Sequence, residues 1–303
     1  MHQRVEEEKR ELGEVLSGIV AGITVYPVKG GRGVALAESR LEAPGLAFDR
    51  RWMLVRPDGR FLTQREEPRL ARLVPRLEPD RLVLALEGCE LALPLDDRGE
   101  PLEVGVWRDR IRAVAPDPEA DRALSRALGR EVRIVRFPET TVRACDPTFA
   151  PPGSRTAFGD GFPLLVTSSA SLAALNAAIV AAGGSAVPMG RFRPNLVLEG
   201  LPPWVEDRPG LVRLASGAAL HLVKPCARCI VTTTDQESGE RLGPEPIRTL
   251  RTLGRDFLGE GPCFGANAVP VLPTGPVELR LGEPVRLEAR RAAPCRNARP
   301  SPI

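Results

Sequence analysis

The densest chemistry in the chain lies in residues 221–235, His-Leu-Val-Lys-Pro-Cys-Ala-Arg-Cys-Ile-Val-Thr-Thr-Thr-Asp, where Cys226 and Cys229 form a C-x-x-C with Arg228 inside it. A structural zinc site needs four ligands, usually from two paired motifs. No second C-x-x-C exists, and Cys145, Cys263 and Cys295 carry no metal-site spacing. A thioredoxin-like redox pair would sit at the start of a helix in a βαβ context. Here the flanks Leu-His-Leu-Val and Ile-Val-Thr-Thr-Thr are both strand-like. A third reading is a single thiolate at a strand end that ligates a soft metal. Arg228 beside it would lower the thiol pKa and could hold a phosphate. On the residues alone, a pair of buried, inert cysteines stands beside these three.

The rest of the composition excludes more than it suggests. Only two histidines occur, His2 and His221, so a three-His zinc site is impossible and a histidine-based triad would rest on His221 alone. There is no G-x-S-x-G elbow and no G-x-x-x-x-G-K-[ST] loop. Charged residues make up 27% of the chain but nearly cancel, leaving +3, which speaks against a nucleic-acid partner. Almost all cations are arginine; the lysines are Lys9, Lys29 and Lys224. Six cysteines over 303 residues do not form a disulfide framework. With no signal-peptide pattern and no long apolar run, the expectation is a cytoplasmic protein without a membrane partner.

The elements that must position these residues are short strands joined by turn residues, as in a barrel or sandwich. Residues 1–17 read as a short surface helix or frayed tail. Strands are expected from Gly18 to a break at Pro27, and over Arg51–Val55, Leu82–Leu86 and Cys89–Leu93. Val104–Trp107 and Ile111–Val114 flank a turn at Arg108-Asp109-Arg110. Asp117 can cap a helix bearing Ala123, Leu124 and Leu128, and Glu131–Phe137 returns as a strand. Residues 138–161, rich in Pro, Gly, Thr and Asp, read as a boundary or active-site loop. Phe162–Val166 then leads into a helix capped from Thr167-Ser168-Ser169. Further strands are expected at Asn195–Leu198, Leu211–Leu214, Leu220–Val223, Ile230–Thr234, Glu278–Leu281 and Val285–Leu287, with a helix over Pro246–Phe257. Residues 291–303 read as a disordered tail.

The loop from Lys224 to Asp235 resembles the cysteine loop of MOSC-domain proteins, the superfamily of the C-terminal domain of molybdenum cofactor sulfurase. Other pieces match in order between about residues 18 and 288. They are Val25-Tyr-Pro-Val-Lys-Gly30, Phe48-Asp-Arg-Arg-Trp52, Phe61-Leu-Thr-Gln-Arg65 with the Glu-Pro-Arg-Leu that follows, Asp160-Gly-Phe-Pro-Leu-Leu165, Arg191-Phe-Arg-Pro-Asn195, Cys263-Phe-Gly265 and Leu281-Gly-Glu-Pro-Val285. The ordered set is far more specific than the C-x-x-C, and the likeness is greatest to the mitochondrial amidoxime-reducing component and its bacterial relatives.

That resemblance implies a mainly β fold with a few helices (α+β), in which a smaller MOSC N-terminal β-barrel-like domain (18–137) precedes a β-barrel MOSC domain (138–290). It implies a molybdenum cofactor between them, with Cys229 as the metal's protein ligand. Lys29 and Arg50 match residues that hold the pterin and phosphate, Arg193, Asn195 and Arg228 match further cofactor contacts, and Asp160 matches an acidic residue close to the metal, a catalytic candidate for proton transfer or for orienting bound water. The implied reaction reduces a small N-hydroxylated compound with electrons from a separate protein, of ferredoxin, flavodoxin or cytochrome-reductase type. An iron–sulfur cluster in this chain is not expected, since no four-cysteine motif occurs; nor is pyridoxal phosphate, which belongs to the sulfurase relatives. The sulfurase kinship keeps two alternatives open, a persulfide carrier at Cys229 and a carrier of the cofactor. Gly30 and Ala227 depart from the family, which often has serine at both places.

Overall fold

The structure, a computed structural model, describes residues 15–257 and 259–289; the expected tail at 291–303 lies outside them. The first β-branched run forms β1 (Val15–Val25), which starts three residues inside the stretch read as helix or tail. Residues 1–14 lie outside the described residues. After β1 come β2 (Val28–Lys29), β3 (Val34–Leu36), β4 (Glu38–Glu42), β5 (Gly45–Leu46) and β6 (Trp52–Val55). Then follow β7 (Val74–Leu77), β8 (Arg81–Leu86), β9 (Cys89–Pro94), β10 (Glu100–Val106), β11 (Asp109–Ala115), helix α1 (Pro118–Leu128) and β12 (Arg133–Arg136).

β6 shows why this half holds its shape. Trp52 and Leu54 enter one apolar cluster with Leu62, Leu84 and Leu124, whereas Met53 and Val55 enter another with Val104, Val135 and Phe158. The strand's period of two thus buries both faces. It is the fourth strand of a five-stranded sheet, β10-β11-β12-β6-β2, and runs parallel to β2 so that Lys29 sits opposite Met53. Helix α1 covers this core. The Asp117 carboxylate accepts from the Glu119 N–H at 2.8 Å, and Gly129 ends the helix in the left-handed region. Its buried stripe is Ala120, Leu124 and Leu128; Leu124 and Leu128 are as expected, and Ala120 stands in place of Ala123.

The second half continues with β13 (Leu164–Ser168), α2 (Ser169–Ala181), β14 (Leu196–Glu199), β15 (Gly210–Leu214), β16 (Ala219–Ala227), α3 (Ile247–Thr252), β17 (Cys263–Val271), β18 (Val277–Arg280) and β19 (Pro284–Ala289). Seven strands close a barrel in the order β14-β13-β17-β16-β15-β19-β1, with β1 pairing back on β14. The Ser168 hydroxyl caps α2 by accepting from Ala170 N–H. The chain's first strand is therefore a stave of the barrel built by the second half, and β4 and β5 pair with β18. The mainly β fold and the order of its two domains agree with the expectation.

Several expected elements differ. The hairpin loop between β10 and β11 is Trp107-Arg108, since Val106 already pairs with Asp109. The Ile230–Thr234 run is no strand but a 3-10 turn over Ile230–Thr233, because the Thr232 and Thr233 hydroxyls bond back to the carbonyls of Cys229 and Ile230 at 2.9 and 2.8 Å. The helix expected over Pro246–Phe257 is only Ile247–Thr252. β17 was not expected at all.

Candidate active site

A cavity of about 370 Å³ opens where the barrel meets the β2–β6 edge of the first sheet. Lys29, Arg50, Asp160, Arg193, Asn195, Arg228 and Cys229, all singled out from the sequence, line it together. The lining cations are Lys29, Arg50, Arg65, Arg193, Lys224 and Arg228, against the carboxylates Asp160 and Glu260 alone. An enclosed excess of positive charge is costly unless an anion is bound.

Tyr26 organises the cationic wall. Its ring carries the Arg193 guanidinium 4.2 Å from its centroid and that of Arg50 at 4.7 Å. The phenol is 4% exposed and donates to the Pro194 carbonyl at 3.1 Å. Burial, opposed by the two arginines, pushes its pKa up to about 12, so it stays neutral. Cation–π attraction of about 1–2 kcal/mol per desolvated pair offsets part of the repulsion between the guanidiniums. Burial draws Arg193 down to about 10, which still leaves it charged at neutral pH. Burial also opposes the charge of Arg50, but Asp49, 2.5 Å away, more than offsets it. Arg50 and Arg193 both sit at positive φ, 49° and 58°, conformations that must be held by their surroundings.

Asn195 is 1% exposed and fully engaged. Its Oδ1 accepts from Arg50 Nη1 at 3.0 Å and from the Leu165 N–H at 3.1 Å, and its Nδ2 donates to the Thr24 carbonyl at 3.1 Å. It lines the cavity as the group that positions Arg50.

Lys29 donates to the Phe158 carbonyl at 2.8 Å and to Asp160 at 2.5 Å. Burial lowers the Lys29 pKa, and Asp160 counters this. Burial would by itself raise the Asp160 carboxyl, but Lys29, Arg50 and the Trp107 N–H hold it below the usual carboxylate range. Asp160 keeps 74% of its side chain open to the cavity, so solvent screens part of that attraction. It is an ionised carboxylate that can accept hydrogen bonds. Gly30 follows Lys29 at φ +84°, the left-handed region that suits glycine, and its carbonyl accepts from Gln64 at 2.6 Å.

Cys229 begins the 3-10 turn over Ile230–Thr233 and is half-buried. Arg228 turns away from it. Its Nη1 lies 3.0 Å from Cys226 Sγ and its Nη2 donates to the Phe192 carbonyl at 2.6 Å, while its Nε is buried without a partner. Phe192 is locked by a stack on Phe264 with centroids 3.8 Å apart.

Four further residues shape the site and escaped the sequence reading. Arg143, 7% exposed, donates to the carbonyls of Ala157 at 3.1 Å and Gly159 at 2.5 Å, which fixes the loop carrying Asp160. Arg191 donates to the Thr233 carbonyl at 2.9 Å, which fixes the turn after Cys229. Gln236 exchanges amide hydrogen bonds of 3.0 Å with Gln64 and accepts from Arg193 at 2.9 Å, joining the two halves across the cavity. Trp107 closes one rim. The sequence signals were a lone loop arginine, the arginine opening the Arg-Phe-Arg-Pro-Asn motif, a glutamine after the threonine run, and a tryptophan at a hairpin turn.

Comparison with known proteins identifies the domains. Residues 17–131 fit the MOSC N-terminal β-barrel domain and residues 153–286 the MOSC domain. The chain is 30% identical to mitochondrial amidoxime-reducing component 1 of Homo sapiens, over 89% of this chain and 83% of that protein. It is 30% identical to the Mus musculus protein of the same name, over 92% and 84%. It is also 30% identical to molybdenum cofactor sulfurase of Oryza sativa, over 77% of this chain but only 30% of that protein. The chain thus belongs to the MOSC-domain family that includes the amidoxime-reducing components.

Proposed function

We propose that this chain binds a molybdenum cofactor in the cavity and reduces small N-hydroxylated compounds with electrons from a separate protein. The observation that carries this reading is the joining of an anion-seeking wall with an accessible thiol in one cavity. The residues present fit the group. Arg228 Nε is a buried donor without a partner, the lining cations outnumber carboxylates, and Cys229 supplies a thiolate donor. Arg50, Arg193 and Arg228 would hold the anionic pterin phosphate by charge-assisted hydrogen bonds, and Cys229 would ligate the metal. When bound, the cofactor supplies the two-electron chemistry.

The chain's own residues bind, orient and shield. Two electrons and two protons convert R–NH–OH to R–NH₂ and water. Asp160, held ionised by Lys29, accepts a hydrogen bond from the substrate's N–H or O–H and orients it. It is a poor acid while that ion pair stands, so its role is orientation. Lys29 is the adjacent cationic donor, and Trp107 with Phe61 limits water at the mouth; their rings meet edge to face at 5.0 Å.

The test is production in a host that makes the cofactor, comparing wild type with Cys229→Ala. Stoichiometric molybdenum in the wild type, lost from the variant, and turnover of benzamidoxime by the wild type alone are expected. Molybdenum and full turnover in the variant would sink the ligand assignment. A persulfide on Cys229 with no molybdenum would instead establish sulfur carriage.

A further inference from the structure

We propose that the tip of the β10–β11 hairpin, beside the cavity mouth, is the docking surface for an acidic electron-transfer protein. This rests on the reductase reading and adds the partner's charge and place. The two loop residues face different concavities. Trp107 lines the active cavity and donates to Asp160 at 3.2 Å. Arg108 lines a second concavity of about 830 Å³ with Arg110, Arg112, Thr140, Thr141 and Val142. A protein seated on this tip would contact the rim of the cavity itself.

The charge there is unbalanced. Arg110 pairs with Glu103 at 2.9 Å and Asp109 with Arg143 at 2.6 Å. Arg65, Arg108 and Arg112 have no carboxylate within ion-pair reach among the described residues; Arg65 lies instead over the Trp107 ring, 4.8 Å from its centroid. On another part of the rim, Lys224 is matched by Glu260 at 2.9 Å. The hairpin side of the rim thus carries a surplus that the Lys224 side does not. Three unpaired arginines suit an acidic protein face better than a nucleic-acid polyanion, which needs more phosphate contacts.

The same tip carries apolar surface. Trp107 is 47% exposed and Val142 67%. Small redox interfaces combine such a centre with a charged rim that steers association. Trp107 also sits at φ +55°, in the region that favours glycine, at a cost of about 1 kcal/mol or more. Packing on Phe61 and Arg65 holds it there, so the fold sustains strain to keep an indole at this rim.

The test uses the holoenzyme, with an acidic [2Fe–2S] ferredoxin and its NADPH reductase as protein donor and reduced methyl viologen as small donor. Arg108→Glu/Arg112→Glu is compared with wild type and with Arg81→Glu, a single charge reversal on the separate β7–β8–β9 sheet. The ferredoxin Kd by calorimetry and its KM should both rise roughly tenfold or more in the double variant. Raising salt from about 0.01 to 0.15 M, which shortens the Debye length from about 30 to 8 Å, should weaken wild-type binding far more than the variant's. Viologen-driven turnover and the Arg81→Glu protein should stay within about twofold of wild type, the range expected where steering is untouched. An unchanged Kd in the double variant, or no ferredoxin binding to wild type, overturns the proposal. Salt-sensitive, hairpin-dependent binding without viologen-driven turnover would support the surface and sink the reductase reading.

Discussion

Replacing Asn195 with leucine isolates what its amide does, because the two side chains are close in volume. The substitution strips the Leu165 N–H of its acceptor, the Thr24 carbonyl of a donor and Arg50 of one charge-assisted bond. An orphaned buried N–H costs about 1–3 kcal/mol, and the weakened hold on Arg50 adds about 1–2. Burying leucine in place of an amide returns about 1 kcal/mol. The net loss is about 1–4 kcal/mol, which lowers Tm by roughly 2–7 °C in a chain of this size. Thermal unfolding of the apo-protein, followed by circular dichroism, reads this without any cofactor. Asn195→Asp is the informative partner variant. It keeps an acceptor for Arg50 and the Leu165 N–H but sets a carboxylate against the Thr24 carbonyl, so it too should be destabilised. If Asn195→Leu melted within about 1 °C of wild type, less than 1 kcal/mol, the amide would not be the structural brace described here.

Two other predictions use the same physics. In Lys29→Met the Asp160 carboxyl loses the cation that depresses it, so it should titrate higher than in wild type by carboxyl ¹³C NMR. An Asp held low in the folded state stabilises the fold above its unfolded pKa of about 3.9 and loses that contribution as pH falls. Wild-type Tm should therefore fall more steeply than the variant's below about pH 4, and parallel curves would refute the ion pair's role. In Gly265→Ala a Cβ would stand 2.7 Å from Thr167 Cγ2 and 2.8 Å from the Val166 carbonyl, at φ +73°. Strain and overpacking should cost about 2–4 kcal/mol, and a Tm change under about 1 °C would mean that the barrel gives way there.

The site was legible in the sequence as residue identities, and its wiring was not. Lys29, Arg50 and Arg193 could be singled out because each stands in a short motif that resembles the MOSC-domain pattern. That Tyr26 would separate two guanidiniums, or that Asn195 would spend its amide on Arg50 and two backbone groups, depends on segments more than a hundred residues apart. Arg143 showed only as a lone loop arginine, because its acceptors are backbone carbonyls of a loop that takes shape only around it. In the fold, hairpins such as β8–β9 announced themselves through their turn residues and alternation. β17 did not, since Cys263–Ala268 is buried almost throughout and mixes glycine, alanine and asparagine without a period. The β-branched run after Cys229 misled in the opposite direction. Its threonine hydroxyls compete for the backbone and curl it into a turn, which is what brings Cys229 to the cavity.

The pairing of β1 with β19 has a consequence for biosynthesis. Val15 lies opposite Glu288, so the barrel's first and last staves are made at opposite ends of translation. At about 5–20 residues per second, roughly 14–55 s separate their synthesis. The sheet around β6 can assemble early and Ile23–Val25 of β1 can pair at once with β3, whereas the rest of β1 must wait until β14 and β19 emerge. An unpaired strand of this kind invites association with other nascent chains. The barrel that walls the cavity closes only when β19 has paired with β1, so loading of any ligand there should follow the synthesis of β19. For the same reason, a fragment beginning at residue 138 would lack a stave and could not close its barrel.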